Sequence, residues 1–216
     1  MKIAVVLSGC GVFDGAEIHE SVLTLWSLEQ NKVDYDCLAP NVQQAHVINH
    51  MTGEEMAESR NVLVEAARIS RGAIIDVAKA SADDYDALIF PGGFGAAKNL
   101  SDFAFKGADC CINPDVLAFA QKFASANKPM GFICIAPAMI PKIFNETIDL
   151  TIGSDKETAK AINQMGGHHV ECPVTEMVVD EQHKVVSTPA YMLAENISQA
   201  ASGISKLVKE VIRLAK

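Results

Sequence analysis

The apolar run Met130-Gly131-Phe132-Ile133 stops at Cys134, and the small-residue stretch Ile135-Ala136-Pro137-Ala138 follows at once. This pattern reads as strand, tight turn and helix. It sets one thiol on an elbow at the C-terminal end of a strand, the edge at which open parallel sheets bind ligands. The positive end of the following helix is expected to lower the thiol's pKa and favour thiolate, the reactive form. The competing interpretation is a buried cysteine packed as a small hydrophobe.

Two acids are placed to work with such a thiol. Glu17 and Glu20 open a helix just beyond the first strand. Acids in a first turn ordinarily complement the helix dipole. The alternative is that one carboxyl projects over the sheet edge towards Cys134, where burial would raise its pKa and suit it to proton transfer. Pro91-Gly92-Gly93-Phe94-Gly95 ends another strand, and the backbone N–H groups of such a glycine turn can hold an oxyanion. A plain turn is the other reading of the same residues. Lys98 and Asn99, just after it, are candidates to line a pocket.

Other motifs fail on spacing. Ser8-Gly9-Cys10-Gly11-Val12-Phe13-Asp14-Gly15 has G-x-G-x-x-x-G where a dinucleotide loop needs G-x-G-x-x-G. Asp34 and Asp36 fall too early in the second strand to bind a ribose. Histidines 19, 46, 50, 168, 169 and 183 show no metal-ligand spacing beyond the isolated His46/His50 pair, so no metal and no cofactor are expected. His169-Val170-Glu171 imitates a triad H-x-E but falls on an expected strand, away from the edge where a triad histidine belongs.

The elements that must position these groups follow from periodicity. Residues 2–8, 33–39, 87–90 and 128–134 read as buried strands. A helix is expected at Glu17–Gln30 with Ile18, Val22, Leu25 and Trp26 on its apolar face, and another at Pro114–Ala126 with Val116, Phe119, Ala120 and Phe123 inward. Residues 41–72 read as a polar insertion with a helix near Glu54–Ala67. Later come a short strand near Leu150, a helix at Glu157–Met165, a hairpin of 177–179 with 185–187, and a last helix carrying Ile204, Leu207, Val208, Val211 and Ile212. Strands alternating with helices imply an α/β, doubly wound, mostly parallel sheet over residues 1–216 as one domain.

Composition excludes several classes. Of 216 residues, 49% are hydrophobic, enough for a sizeable core, and the formal charge of −9 argues against nucleic-acid or anionic-membrane partners. The longest early apolar run, residues 3–7, is too short for a span or a signal-peptide core. A reducing cytoplasm is therefore the expected location. The six cysteines show no C-x-x-C pair, so no disulfide framework is expected, and Cys110-Cys111 reads as an exposed loop.

In order along nearly the whole chain, Ser8-Gly9-Cys10-Gly11, Asp14-Gly15-Ala16-Glu17-Ile18-His19-Glu20, Val47-Ile48-Asn49-His50, Glu58-Ser59-Arg60-Asn61-Val62-Leu63, Pro91 to Leu100, Cys134-Ile135-Ala136-Pro137 and Thr188-Pro189-Ala190 resemble the ElbB-type (enhancing lycopene biosynthesis) proteins. That family is a branch of the DJ/PfpI superfamily in the class I glutamine amidotransferase-like group. The resemblance implies a flavodoxin-like α/β sandwich, often dimeric, with Cys134 as a strained reactive cysteine. It maps the partner glutamate to Glu20, with Glu17 second. It also implies a cofactor-independent glyoxalase acting on a small aldehyde such as glyoxal or methylglyoxal, with backbone donors around Gly92, Gly93 and Ile135 holding the oxyanion. One departure matters: many superfamily members carry histidine directly after the nucleophile, and this chain has Ile135. That counts against protease or amidase chemistry. The alternative to an enzyme is a redox-responsive or protein-quality-control protein whose cysteine is oxidised.

Overall fold

The computed structural model describes all 216 residues. In chain order its regular elements are β1 (Lys2–Val6), α1 (Ile18–Gln30), β2 (Asp34–Ala39), α2 (Val62–Ala66), β3 (Ile74–Asp76), β4 (Ala87–Phe90), α3 (Phe94–Lys98), α4 (Phe103–Lys106) and α5 (Pro114–Ser125). They continue with β5 (Met130–Ile133), α6 (Ile140–Phe144), β6 (Asp149–Leu150), α7 (Lys156–Gln164), β7 (His168–His169), β8 (Val178–Asp180), β9 (Val185–Thr188) and α8 (Ile197–Leu214). One seven-stranded sheet runs β3-β2-β1-β4-β5-β9-β8, parallel except for β8, and β6 pairs β7 in a small separate ladder.

Apart from Lys2 at the start of β1, the central strands β1, β4 and β5 are buried because helices cover both faces, and their sequences are accordingly continuous apolar runs. Strand order reverses beside β1, so the loops after β1 and β4 meet at one edge. The elbow after β5 lies at that same edge, because β5 pairs β4 in parallel. Against β5, α8 packs so closely that a side chain at Gly131 would collide with Leu207 and Val211.

Three local expectations need correction. The insertion is not helical from Glu54. Residues 43–61 are held by isolated bridges, Gln43 to Asn61 and Ile48 to Glu55, and α2 begins only where the Asn61 side chain caps the Val64 N–H. Cys110 is buried, while Cys111 is exposed, and all six cysteines are free. The third correction concerns α1. Ile18, Val22 and Trp26 are exposed (44%, 49% and 49%), and the face turned inward carries Glu20, Ser21, Thr24, Ser27 and Leu28. The hydroxyls of Ser21 and Thr24 are satisfied within the helix by the carbonyls of Glu17 and Glu20, each at 2.7 Å. Strand β3, preceded by the positive-φ pair Arg71 and Gly72, is not anticipated by the sequence pattern at all.

Candidate active site around Cys134 and Glu20

Cys134 follows β5 directly and holds φ of +64°, a left-handed conformation that costs a non-glycine residue energy. Its N–H donates to the Thr188 carbonyl at the end of β9, 3.0 Å away, which anchors the elbow to the sheet. The side chain is 7% exposed. The chain then enters a short 3-10 turn at Ala136–Met139 before the five-residue α6.

Glu20 comes from the inward face of α1 and is fully buried. Its Oε2 accepts the Gly92 N–H at 2.9 Å and its Oε1 accepts the Tyr191 N–H at 3.1 Å. Its Oε2 and the Cys134 Cβ both border the space that a side chain at Gly92 would fill, which sets the carboxyl beside the thiol. The backbone N–H groups of Gly93 and Ile135 are also directed at that sulfur. A Cβ at Gly92 would overlap the Cys134 Cβ and press on Glu20 Oε2, so only glycine lets the β4 turn approach this closely.

Electrostatics set the proton inventory. Burial pushes the Glu20 carboxyl up to about 8, an effect opposed by the Tyr191 N–H and reinforced by the charge of Glu17. Burial also pushes the Cys134 thiol upward, and the charge of Glu20 adds to it, against the N–H groups of Gly93 and Ile135. The expectation of a thiol lowered by a helix dipole is therefore overturned. After Cys134 the chain forms only a 3-10 turn and a single short helix, too little aligned backbone to outweigh desolvation. The pair holds at least one proton at neutral pH, and the arrangement can pass it between sulfur, carboxyl and a bound carbonyl oxygen.

The other sequence candidates separate cleanly. Glu17 is the N-cap of α1: its Oε2 accepts the Glu20 N–H at 2.6 Å, and its own N–H donates to the Gly92 carbonyl at 2.8 Å. It positions Glu20 and has no contact with the sulfur. Gly92 is in the site, but its N–H is taken by Glu20, which leaves Gly93 and Ile135 as the donors facing the sulfur. Asn99 does not offer a free donor. Its amide bonds the carbonyls of Ser8 and Asp14, and its oxygen accepts the Ala45 N–H, so it ties the insertion to the loop after β1. Lys98 bonds the Phe13 carbonyl at 2.9 Å. His50 belongs to the same latch, accepting the Phe13 N–H, while Asp14 accepts the Ile48 N–H at 2.7 Å. Arg60 pairs with Glu58 and Glu65. His169 lies in β7, where its ring accepts the Ile152 N–H. No three His, Cys, Asp or Glu side chains converge as metal ligands.

Two residues that sequence reasoning passes over sit at the rim. Tyr191 follows Ala190, itself at φ +43°, and its hydroxyl is 2.8 Å from His19 Nδ1. Thr188-Pro189-Ala190 marks this turn as unusual, but nothing in the sequence pairs it with α1.

An α/β sheet with a positive-φ cysteine at its elbow and a buried acid from the first helix places the fold in the DJ-1/PfpI, class I glutamine amidotransferase-like group. No family model matches the chain. Relatives do. The chain is 45% identical to the rat "ES1 protein homolog, mitochondrial" over 99% of its own length and 84% of that protein. It is 44% identical to the human "glutamine amidotransferase-like class 1 domain-containing protein 3, mitochondrial", covering 99% of this chain and 83% of that one. A solved isoprenoid biosynthesis protein with an amidotransferase-like domain from Ehrlichia chaffeensis superposes with a TM-score of 0.94 at 36% identity over the full length of both chains. A DJ-1 superfamily protein from Salmonella typhimurium shares the fold, at TM-score 0.54 and 22% identity, over 99% of this chain and 85% of its own. The chain belongs to the ES1/ElbB-type family.

Proposed function

We propose that this protein is a cofactor-independent glyoxalase-type enzyme that converts glyoxal or methylglyoxal to a hydroxy acid. The observation that carries the reading is that Cys134, at its strained elbow, and the buried Glu20 carboxyl converge on the space beside Gly92. Cys134 sulfur adds to the aldehyde carbon to give a hemithioacetal, and its proton passes through Glu20 to the carbonyl oxygen. Starting from the singly protonated form of the pair, this leaves Glu20 as a carboxylate, which takes the hemithioacetal C–H proton and returns it to the adjacent carbon through an enediol. The aldehyde carbon is thereby oxidised to a thioester as its neighbour is reduced to an alcohol. Water releases the hydroxy acid and returns the thiol. The N–H groups of Gly93 and Ile135 support negative charge as it moves between sulfur and oxygen.

Lactate formation from methylglyoxal by purified wild type beside Cys134→Ala tests this. Turnover in the wild type that is lost in the variant is the expected result; equal turnover in both would sink it. The redox-responsive reading keeps one specific observation in its favour: the same N–H groups and a protonated Glu20 would hold the oxygens of a Cys134 sulfinate. Selective addition of two oxygens at Cys134 under mild peroxide, without aldehyde turnover, would favour it.

Two further expectations stand as proposals. A homodimer is supported by the exposed Ile18, Val22 and Trp26 stripe of α1, an apolar surface that a second copy would cover. Six free cysteines suit a reducing compartment. The cytoplasm meets that requirement, and the relatives' names carry the word mitochondrial. No helix is long and apolar enough to cross a membrane.

A further inference from the structure

The proposed reaction ends in a hydrolysis that Cys134 and Glu20 are poorly placed to complete. The thioester carbon needs an attacking water, and a water needs a base on the open side of the site. Glu20 is fully buried and both its oxygens accept backbone N–H bonds, so it meets the bound adduct from the protein interior and not the incoming water. The residue after the elbow is Ile135, which has no titratable side chain. The base must come from elsewhere.

We infer that His19, oriented by Tyr191, is the base of this release step, an assignment that rests on the glyoxalase reading above. His19 immediately precedes Glu20 on α1, and its side chain is about half exposed (48%), so it borders solvent where Glu20 does not. Its Nδ1 lies 2.8 Å from the Tyr191 hydroxyl, and the two rings pack at 5.7 Å between centroids. Tyr191 is itself tied to the reacting pair. Its N–H holds Glu20 Oε1, and it lies three residues beyond Thr188, whose carbonyl accepts the Cys134 N–H. The imidazole is thus referenced to both Glu20 and the elbow by a short chain of bonds.

The contact with the Tyr191 hydroxyl accommodates the tautomer that the step requires. With the proton on Nδ1 donated to the tyrosine oxygen, Nε2 presents a lone pair to water. Glu17 Oε1 lies 3.9 Å from Nδ1. In the step, Nε2 takes a proton from water as the water oxygen bonds to the thioester carbon. The carbon–sulfur bond breaks with its electrons going to Cys134 sulfur beside the N–H groups of Gly93 and Ile135. The imidazolium proton then returns to the sulfur. Mass, charge and electrons balance without any further reactant.

The test separates forming the adduct from releasing it. Wild type, His19→Gln and Tyr191→Phe are mixed with methylglyoxal, quenched rapidly and weighed intact, with hydroxylamine added to a parallel set after the free methylglyoxal has been removed. Expected for His19→Gln is a steady rate lower by about 10²-fold, the usual scale for losing a positioned base, with an undiminished first-turnover burst. The Cys134 adduct should accumulate, and hydroxylamine, which needs no base to cleave a thioester, should release it as the hydroxamate and regenerate the free thiol. Tyr191→Phe should show the same pattern more weakly. An adduct that forms in wild type but does not accumulate in His19→Gln would overturn the His19 assignment and leave the glyoxalase reading intact. So would a His19→Gln rate within twofold of wild type. Absence of any Cys134 adduct in wild type would overturn both.

Discussion

Helices α1 and α8 lie side by side on the same face of the sheet, yet they treat their apolar residues in opposite ways. The stripe on α8 is buried as its spacing demands, with Ile204, Leu207, Val208 and Val211 fully enclosed. On α1 the equally regular stripe of Ile18, Val22 and Trp26 faces outward, and a face of acid and hydroxyls is buried instead. The difference arises from the job of each helix. From α8 the sheet receives only covering apolar surface. The α1 helix must carry Glu20 into the interior to meet Cys134, and one rotation of a helix cannot bury both faces. Local rules tend to be broken where a site is built.

Four measurements would break or sharpen this contrast. The largest effect is expected in α8: Leu207→Ala should cost about 2–5 kcal/mol in denaturant unfolding, because Leu207 packs directly on Gly131 and the cavity cannot close easily. A cost under about 1 kcal/mol would mean that the buried stripe is not what holds α8 to the sheet.

Next is Glu20→Gln, read as stability against pH. The folded carboxyl titrates near 8 and the unfolded one near its ordinary 4.5. Between those values the unfolded chain has released a proton that the folded chain still holds. Wild-type stability should therefore be fully present below pH 4.5, fall as pH rises towards 8, and then level off with respect to this group. The glutamine variant should lack that decline, becoming more stable than wild type at pH 8 by roughly 2–4 kcal/mol relative to the difference at pH 4.5. Parallel pH curves for the two proteins would show that Glu20 is not held protonated, and the burial argument for α1 would fail.

Glu17→Ala should cost about 1 kcal/mol through loss of the N-cap bond to the Glu20 N–H. Because the cap also sets the first turn, turnover should fall with it. An unchanged thermal midpoint would remove Glu17 from its positioning role. The smallest effect is expected on the outer stripe of α1, where Val22→Ser should change monomer stability by no more than about 0.5 kcal/mol. Sedimentation and the fluorescence of Trp26, the chain's single tryptophan, provide the sharper readout. If a second copy covers this face, the variant should dissociate and the emission shift to longer wavelength; unchanged sedimentation would argue against that interface.

Much of the architecture is legible in the residues. The runs at β1, β4 and β5 are too apolar to face water on either side, and α5 declares itself through Pro114 and the inward row Val116, Phe119, Ala120 and Phe123. Cys134 is legible as an elbow because an apolar strand stops there and small residues come next. Less legible is β3, three half-buried residues after a turn, too short to show a period. The insertion misleads a reading by pattern because backbone contacts made by Asp14 and Asn99, distant in sequence, hold it in a non-helical path.

The sequence by itself determined the α/β alternation, the position of the cysteine at a strand end, and the two acids from which its partner would come. Those features depend on local pattern and chain order, which a linear string records. The tertiary structure alone decided that Glu17 caps α1 while Glu20 turns into the interior, that α1 turns its apolar stripe outward, and that burial pushes the thiol up instead of a helix dipole lowering it. It also brought Tyr191 to His19 across 172 positions of chain. Each of these depends on which surfaces exclude water, and that is settled only when distant segments pack together.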